Sequence, residues 1–164
     1  MKILVFSDTH GNTDFMIEAI KKHMNDTDLI IHLGNNATDT LPLNYICGHI
    51  ASICILGNND SSVKGAYPEH CFTAGVTGVR IFACHGHTYG VNNDTNSLYM
   101  KGVHTRSDIV LYGHTHIAEI SEKDGIYIIN PGSCSLPRGK EPPSYAVIRI
   151  EDGNIMPTIV FKRG

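Results

Sequence analysis

The chain has 164 residues, enough for one domain with a substantial hydrophobic core. Its apolar fraction of 41% and charged fraction of 18% are those of an ordinary globular protein, while the net charge of -3 offers no basic surface for nucleic acid or for an anionic membrane. Ten histidines are unusually many for this length, and they are the one compositional indication of metal chemistry.

The cysteines and the first residues indicate the compartment. The five cysteines are odd in number and none are spaced as Cys-x-x-Cys, which argues against a disulfide framework and against a zinc knuckle. Reduced thiols predict a cytoplasmic protein. The apolar start reaches Ser7 too soon for a signal peptide, and no apolar run is long enough to span a membrane. Whether the chain forms a homo-oligomer stays open.

The first two thirds of the chain alternate between apolar runs, which predict strands, and amphipathic stretches, which predict helices. In chain order the predicted elements are a strand over 2–6, a helix from Asn12 or Thr13 to Met24, a strand over 28–33, a weaker helix over 39–47, strands over 51–56 and 79–84, a helix over 95–104 and a strand over 108–112. This alternation is typical of parallel β-sheets whose crossover connections are helical.

The last third has a different pattern. Short apolar segments over 117–121, 125–129, 145–150 and 155–161 are separated by the turns 123–125 and 152–154, which predict antiparallel hairpins. Together the two parts predict a single α/β domain over residues 1–164, in which two packed sheets carry helices on their outer faces. Ligands of such sheets bind beyond the carboxyl ends of the strands.

Five predicted strands are followed directly by side chains that can bind a metal. In chain order these side chains belong to Asp8, His10, Asn35, Asn58, Asp60, His85, His87, His114 and His116. Imidazole, carboxylate and amide oxygen together suit manganese, iron or zinc. Each cluster alone also reads as an ordinary turn or helix cap. Because the set exceeds what one ion needs, it indicates two ions roughly 3.5–4 Å apart, as in hydrolytic two-metal sites.

The ordered motifs are Asp-x-His, Gly-Asn, Gly-Asn-x-Asp, His-Gly-His, Gly-His-Thr-His and Asn-Pro-Gly-Ser. They resemble those of the calcineurin-like metallophosphoesterases, most of all the small YfcE-type phosphodiesterase branch, over residues 1–149. The resemblance implies a four-layer α/β/β/α sandwich of two mixed sheets flanked by helices. It also implies a metal-dependent phosphodiesterase or phosphatase with a dinuclear metal centre and a metal-bound hydroxide.

The resemblance also implies a role for each ligand. It assigns the first ion to Asp8, His10 and His116, the second ion to Asn58, His85 and His114, and the bridge between them to Asn35. The implied cofactors are two divalent ions, with manganese first and zinc, iron, nickel or magnesium as alternatives. The implied partner is a phosphate ester substrate.

Other positions around the ligands have expected roles in binding and catalysis. Asn59 stands where many family members carry a proton-donating histidine, and an amide cannot act as a general acid near neutral pH. His87 is the nearby replacement for that catalytic role. Arg138 is expected to bind a phosphate through its guanidinium, beside Asn59. Asp60 and His87 are also candidates for fixing the tautomers of the ligating imidazoles.

Asn35 is the main departure from the family pattern, since the bridging ligand is usually an aspartate. An amide offers one neutral oxygen, so Asp8 alone would face roughly four positive charges from two divalent ions. We therefore expect weaker occupancy of at least one site, unless Asp39 compensates. The phosphoesterase-like subunit of retromer also has Gly-Asn in this slot, so the alternative is a catalytically weak or inactive scaffold. A single-metal binding protein is a third interpretation.

Overall fold

The computed structural model describes residues 1–163, which form ten β-strands and three α-helices. The first part comprises β1 Lys2–Phe6, α1 Asp14–His23, β2 Leu29–His32, α2 Leu43–Cys47, β3 Ala51–Cys54, β4 Glu69–Thr73 and β5 Arg80–Cys84. The second part comprises α3 Asn96–Thr105, β6 Ile109–Leu111, β7 Ala118–Lys123, β8 Ile126–Pro131, β9 Ser144–Glu151 and β10 Asn154–Phe161.

The strands form two mixed sheets of five strands each. The first sheet has the order β10-β9-β1-β2-β3, and the second has the order β4-β5-β6-β8-β7. In the first sheet β1, β2 and β3 are parallel, whereas β9 and β10 run antiparallel beside them. In the second sheet β5, β6 and β8 are parallel, with β4 and β7 as antiparallel edges.

The two sheets pack face to face, and the helices cover their outer faces. Val5, Ile31 and Leu111 belong to the apolar cluster between the sheets. Met16 of α1 packs in a second cluster on the outer face of the first sheet, and Leu98 of α3 packs in a third cluster on the second sheet. β1 is buried along its whole length because both of its faces are covered. This order of layers confirms the predicted fold class.

Two elements differ from the prediction. The helix expected over 39–47 is interrupted: a 3-10 turn spans Ala37–Thr40, and α2 begins only after Pro42, which has no backbone N–H to donate within a helix. The edge strand β4 was not predicted, because its sequence begins with the polar pair Glu69 and His70 and lacks an apolar run. It forms by pairing with β5 across the turn at residues 75–78.

The predicted hairpins form. β7 pairs with β8 and β9 with β10, around turns in which Asp124 and Asp152 have a positive φ. α1 begins one residue after Thr13, whose side chain makes no capping hydrogen bond, while Asn12 Oδ1 accepts from the Asp14 N–H at 3.3 Å. The single-domain boundary at residues 1–164 stays a prediction.

The cysteines are free, as the sequence predicted. Burial raises the pKa of Cys54 to about 11 and that of Cys134 to about 12, so both thiols stay protonated near neutral pH. Among residues 1–163, none of the helices combines the length and the apolar character that a bilayer crossing requires.

Candidate metal centre

The predicted metal ligands all lie in loops that follow parallel strands. Asp8 and His10 follow β1, Asn35 follows β2, Asn58 follows β3, His85 follows β5, and His114 and His116 follow β6. Because the carboxyl ends of parallel strands meet at one edge of a sheet, and the two sheets pack together, these loops converge. The ligand loops of the two sheets meet where His85 Nε2 lies 3.9 Å from Asp8 Oδ1.

Two glycines allow the loops to approach this closely. A Cβ at Gly113 would overlap the Ser7 hydroxyl, so the loop after β6 lies directly against the loop after β1. A Cβ at Gly57 would overlap the side-chain oxygen of Asn35. The Gly-His-Thr-His and Gly-Asn motifs therefore need glycine for packing, apart from any role of the residues that follow.

Asp8, His10 and His116 form the first group of predicted ligands, called the Asp8 group below. Asp8 Oδ1 lies 3.2 Å from His116 Nε2 and 3.8 Å from His10 Nε2, and the two imidazole nitrogens are 3.3 Å apart. Donor atoms about 2.1 Å from one ion lie roughly 3.0–3.4 Å from each other. The Asp8 group is therefore spaced to hold a single ion with little movement.

Asn58, His85 and His114 form the second group, called the Asn58 group below. Asn58 Oδ1 lies 3.1 Å from His85 Nε2 and 3.1 Å from His114 Nδ1. These spacings also fit three ligands of one ion. The backbone N–H of His114 in turn donates to Asp8 Oδ2 at 3.0 Å, so a main-chain contact links the two groups.

Asn35 lies beside Asp8 with its amide oriented by two hydrogen bonds. Its Oδ1 accepts from the backbone N–H of Asn59 at 3.2 Å, and its Nδ2 donates to Asp8 Oδ1 at 3.0 Å. Turning the amide over would place Nδ2 against the Asn59 N–H, donor against donor. The side chain thus presents nitrogen to Asp8. The bridging role of Asn35 stays a prediction.

Two imidazole tautomers are fixed by main-chain carbonyls. His85 Nδ1 donates to the carbonyl oxygen of Leu33 at 2.8 Å, and His116 Nδ1 donates to that of Leu136 at 2.6 Å. In each ring the Nε2 atom is thereby left to face the site. We expected Asp60 and His87 to have this role, and the sequence could not reveal the true partners because every residue has a carbonyl.

Burial and charge set the protonation of the ligands. Burial acts to raise the pKa of Asp8, but hydrogen bonds from His116 and Ser7 and the charge of His85 lower it to about 2. Burial lowers the pKa of His85 to about 4 and also lowers the pKa of His114. Burial opposes protonation of His116 too, yet its hydrogen bonds to Asp8 and Leu136 raise its pKa overall. The raised pKa favours a protonated His116 beside the Asp8 carboxylate, an arrangement that a bound cation would replace.

Asp60 binds the main chain, and within residues 1–163 it makes no hydrogen bond to an imidazole. Its Oδ1 accepts from the N–H groups of Asn36 and Ala37, each at 2.8 Å, and its Oδ2 accepts from those of Asn35 at 2.9 Å and Gly57 at 2.7 Å. One carboxylate therefore fastens the loop after β2 to the loop after β3. Asp39 has a similar role nearby, since its Oδ2 accepts from Thr9 Oγ1 and from the Gly11 N–H.

Replacing Asp60 by asparagine is expected to lower the free energy of unfolding by about 2–4 kcal/mol. The amide keeps one acceptor oxygen and turns a donor towards the N–H groups on the other side, so hydrogen bonds worth about 1–3 kcal/mol each are lost. Urea unfolding measures this change. The matched control is Asp28→Asn, because the exposed Asp28 accepts a single N–H, from Lys2. Equal losses in both variants would contradict the role assigned to Asp60.

The Asn-Pro-Gly-Ser segment at the end of β8 holds two of the ligand loops through hydrogen bonds. Asn130 Nδ2 donates to the Gly113 carbonyl and to Thr115 Oγ1, both at 2.9 Å. Ser133 Oγ donates to the Asp8 carbonyl at 2.7 Å. The resemblance had identified this motif without a role for it, and the structure shows that it fixes the loops after β1 and β6.

The residues predicted for catalysis and substrate binding lie at the rim. His87 is exposed, with its ring centroid 5.4 Å from that of His85 and 6.2 Å from that of His114. Asn59 is exposed next to the Asn58 side chain. Arg138 is exposed, and its backbone N–H donates to the His116 carbonyl at 3.1 Å. Asn92, which we did not predict, places Nδ2 3.2 Å from His114 Nε2.

The backbone is left-handed at five of the predicted ligand positions. These are Asp8 (φ 55°), His10 (47°), Asn35 (59°), His114 (68°) and His116 (61°). Asp, Asn and His tolerate this region better than most residues. For a non-glycine residue the left-handed conformation still destabilises the folded state by about 1–3 kcal/mol per position. The surrounding hydrogen bonds impose this geometry, which directs several side chains from short loops to one point.

Comparison with known proteins agrees with this geometry. The family model of the calcineurin-like phosphoesterase superfamily domain matches residues 1–153. The phosphodiesterase YfcE of Escherichia coli is 28% identical over 180 aligned positions, which cover 98% of this chain and 92% of that protein. The motifs on which the resemblance was based are thus part of a sequence match along nearly the whole chain.

Solved structures show the same fold. A protein of Streptococcus pneumoniae described as a predicted phosphoesterase superposes with a TM-score of 0.79 at 26% identity, covering 98% of this chain and 88% of that one. A zinc complex of Vps29 from Entamoeba histolytica reaches 0.75 at 22% identity, covering 98% and 99%, and at that identity it shows the fold alone. The chain therefore belongs to the calcineurin-like phosphoesterase superfamily, which confirms the predicted class of enzyme, a phosphoric ester hydrolase.

Proposed function

We propose that this chain hydrolyses phosphodiesters with two divalent ions, one in the Asp8 group and one in the Asn58 group. The observation that carries the proposal is the adjacency of two sets of three donor atoms, joined where His85 Nε2 approaches Asp8 Oδ1 to 3.9 Å. Manganese is our first choice of ion because the donors are nitrogen and oxygen only, with zinc, iron, nickel and magnesium as alternatives.

The donor chemistry of the Asn58 group fits a cation. The Nδ1–H of His85 donates a hydrogen bond to the Leu33 carbonyl, and the pKa of the ring is about 4. Its Nε2 therefore carries a lone pair at neutral pH. That lone pair faces Asn58 Oδ1 at 3.1 Å, so two acceptors point at each other. A cation between them turns this contact from repulsive to attractive.

Bound divalent ions would supply Lewis acidity and a water nucleophile of lowered pKa. The chain's own residues hold and orient the reactants. Arg138 and Asn59 stand at the rim, where we propose that the guanidinium and the amide bind the phosphoryl oxygens. The carboxylates of Asp39 and Asp60 accept hydrogen bonds from the loops that carry the predicted ligands, and their charges would offset part of the positive charge of the loaded site.

The leaving group needs a proton from another source than position 59. The amide of Asn59 does not release a proton, so we propose His87, which is exposed beside the Asn58 group, as the proton donor. A single exposed imidazole is a modest general acid. We therefore propose that good leaving groups are hydrolysed best.

The experiment is metal-dependent hydrolysis of bis-p-nitrophenyl phosphate. Protein stripped with EDTA should show no turnover, and manganese should restore turnover together with a metal content approaching two ions per chain. The monoester p-nitrophenyl phosphate serves as the comparison substrate and should react more slowly. A folded, metal-loaded protein without turnover on either substrate would overturn the proposal and favour the scaffold that Asn35 leaves as the alternative.

A further inference from the structure

A cavity of about 590 Å³ borders the Asn58 group at His85, and its volume is in the range of ordinary small-molecule sites. His85 and His87 form the wall shared with the metal centre. Leu56 and Pro68 give the cavity an apolar side, and Glu69 and Thr88 add polar groups. A phosphoryl group at the metal centre would therefore have one of its substituents next to this cavity.

Glu69 is a fixed hydrogen-bond acceptor in the cavity wall. Lys101 Nζ donates to Glu69 Oε1 at 2.6 Å, and the Tyr89 hydroxyl donates to Oε2. Lys101 is itself held over the Phe82 ring, 5.0 Å from its centroid. Each carboxylate oxygen keeps an unused lone pair, because a carboxylate has about four acceptor positions in all. The side chain is thus oriented in advance and can still accept from a ligand.

The charges of the cavity select against a second phosphate. Its lining includes Glu69 and Asp60, and among the described residues it includes no lysine or arginine; Lys101 contacts Glu69 as an ion pair at 2.6 Å. An anionic substituent would find no cation in this lining to neutralise it, whereas a hydroxyl group would find the Glu69 carboxylate as an acceptor. An apolar wall combined with a fixed carboxylate is an arrangement that binds sugars, as acidic side chains bind ribose hydroxyls in dinucleotide sites.

We propose that this cavity receives the sugar of a phosphodiester, with Glu69 accepting hydrogen bonds from its hydroxyl groups. The proposal rests on the proposed phosphodiesterase function and names the class of substrate for it. Beyond Thr88, a second cavity of about 620 Å³ is lined by Asn96 and Ser97. This second cavity has room for the group that is attached to the sugar.

The test combines changes in the ligand with changes in the protein. Binding of uridine 5'-monophosphate and of its 2',3'-dideoxy analogue to the manganese-loaded protein is measured by calorimetry. The hydroxyl-bearing ligand should bind about tenfold more tightly, as expected for a hydrogen bond to a charged group. Glu69→Ala should remove this difference between the two ligands. Glu69→Gln, which keeps the volume, should weaken it.

The control variant is Glu122→Ala, which removes an exposed carboxylate from β7, at the opposite edge of the second sheet. It should keep the tenfold preference. Equal affinities for both ligands in the unchanged protein, or a preference that survives Glu69→Ala, would overturn the sugar proposal.

Turnover is followed separately with the p-nitrophenyl esters of the same two nucleotides and with bis-p-nitrophenyl phosphate. In Glu69→Ala, the ratio of kcat/KM for the ribonucleotide ester to that for bis-p-nitrophenyl phosphate should fall about tenfold, through KM. An unchanged ratio would contradict the role of Glu69. Retained ligand preference without turnover of any ester would contradict the proposed hydrolysis and leave the sugar site supported.

Discussion

Replacing Asp8 by alanine should lower metal-dependent diester hydrolysis by about a thousandfold or more, more than the loss of a single electrostatic contact in an active site. Asp8 is the only carboxylate in either group of ligands, and it is fully buried. Its loss also leaves donors of Ser7, Asn35 and His114 without their acceptor. Metal content, kcat/KM and the melting temperature measure these effects.

Asp8→Asn is the matched control for the structural part of that loss. Asparagine has the same shape and tolerates the positive φ of 55° at this position, whereas alanine does not. The asparagine variant should therefore lose metal and activity with a smaller drop in melting temperature than the alanine variant. Full metal content and unchanged turnover in both variants would contradict the assignment of Asp8 as a ligand.

Asn35→Asp should change the melting temperature in opposite directions with and without metal. In the protein as it is, Asn35 Nδ2 donates to Asp8 Oδ1 at 3.0 Å, so the amide satisfies that carboxylate in the absence of a cation. An aspartate would place two buried carboxylate oxygens at this distance, which is unfavourable unless a cation or proton lies between them. The melting temperature in EDTA should therefore fall.

With manganese present, the same substitution should raise metal occupancy, melting temperature and hydrolysis rate. We expect at least a tenfold gain in rate, about 1.4 kcal/mol in the barrier. Asn35→Ala is the control, because it removes the donor to Asp8 without adding a charge. Its melting temperature should fall in EDTA, both from the lost hydrogen bonds and from the strain of alanine at a φ of 59°, and it should gain little from manganese. If Asn35→Asp left stability in EDTA, occupancy and rate all unchanged, the amide would have no part in metal binding.

The central strands and the convergence of the ligand loops were predictable from the sequence. β1, β2, β5 and β6 are short apolar runs with polar residues directly behind them, which is what parallel strands covered on both faces require. β4 was not predictable in this way. It is an edge strand with polar residues, and its position depends on pairing with β5 rather than on its own pattern.

The supporting contacts of the site were also beyond sequence reasoning. Carbonyl groups of Leu33 and Leu136 orient two imidazoles, and no side-chain pattern marks such a role. Asp60 was predicted to fix the tautomer of an imidazole, but its four N–H partners depend on how two loops meet. The direction of the Asn35 amide follows from the Asn59 N–H, again a main-chain group brought near by the fold.

The place of β1 in its sheet has a consequence for the order in which this protein can be assembled. One edge of β1 pairs with β2, its neighbour in the chain, and the other pairs with β9, where Lys2 lies opposite Arg149. During synthesis, one edge of β1 therefore has no native strand partner until β9 has left the ribosome. All the predicted metal ligands precede β9 in the sequence, so a chain interrupted before β9 would contain them without the complete first sheet that brings their loops together.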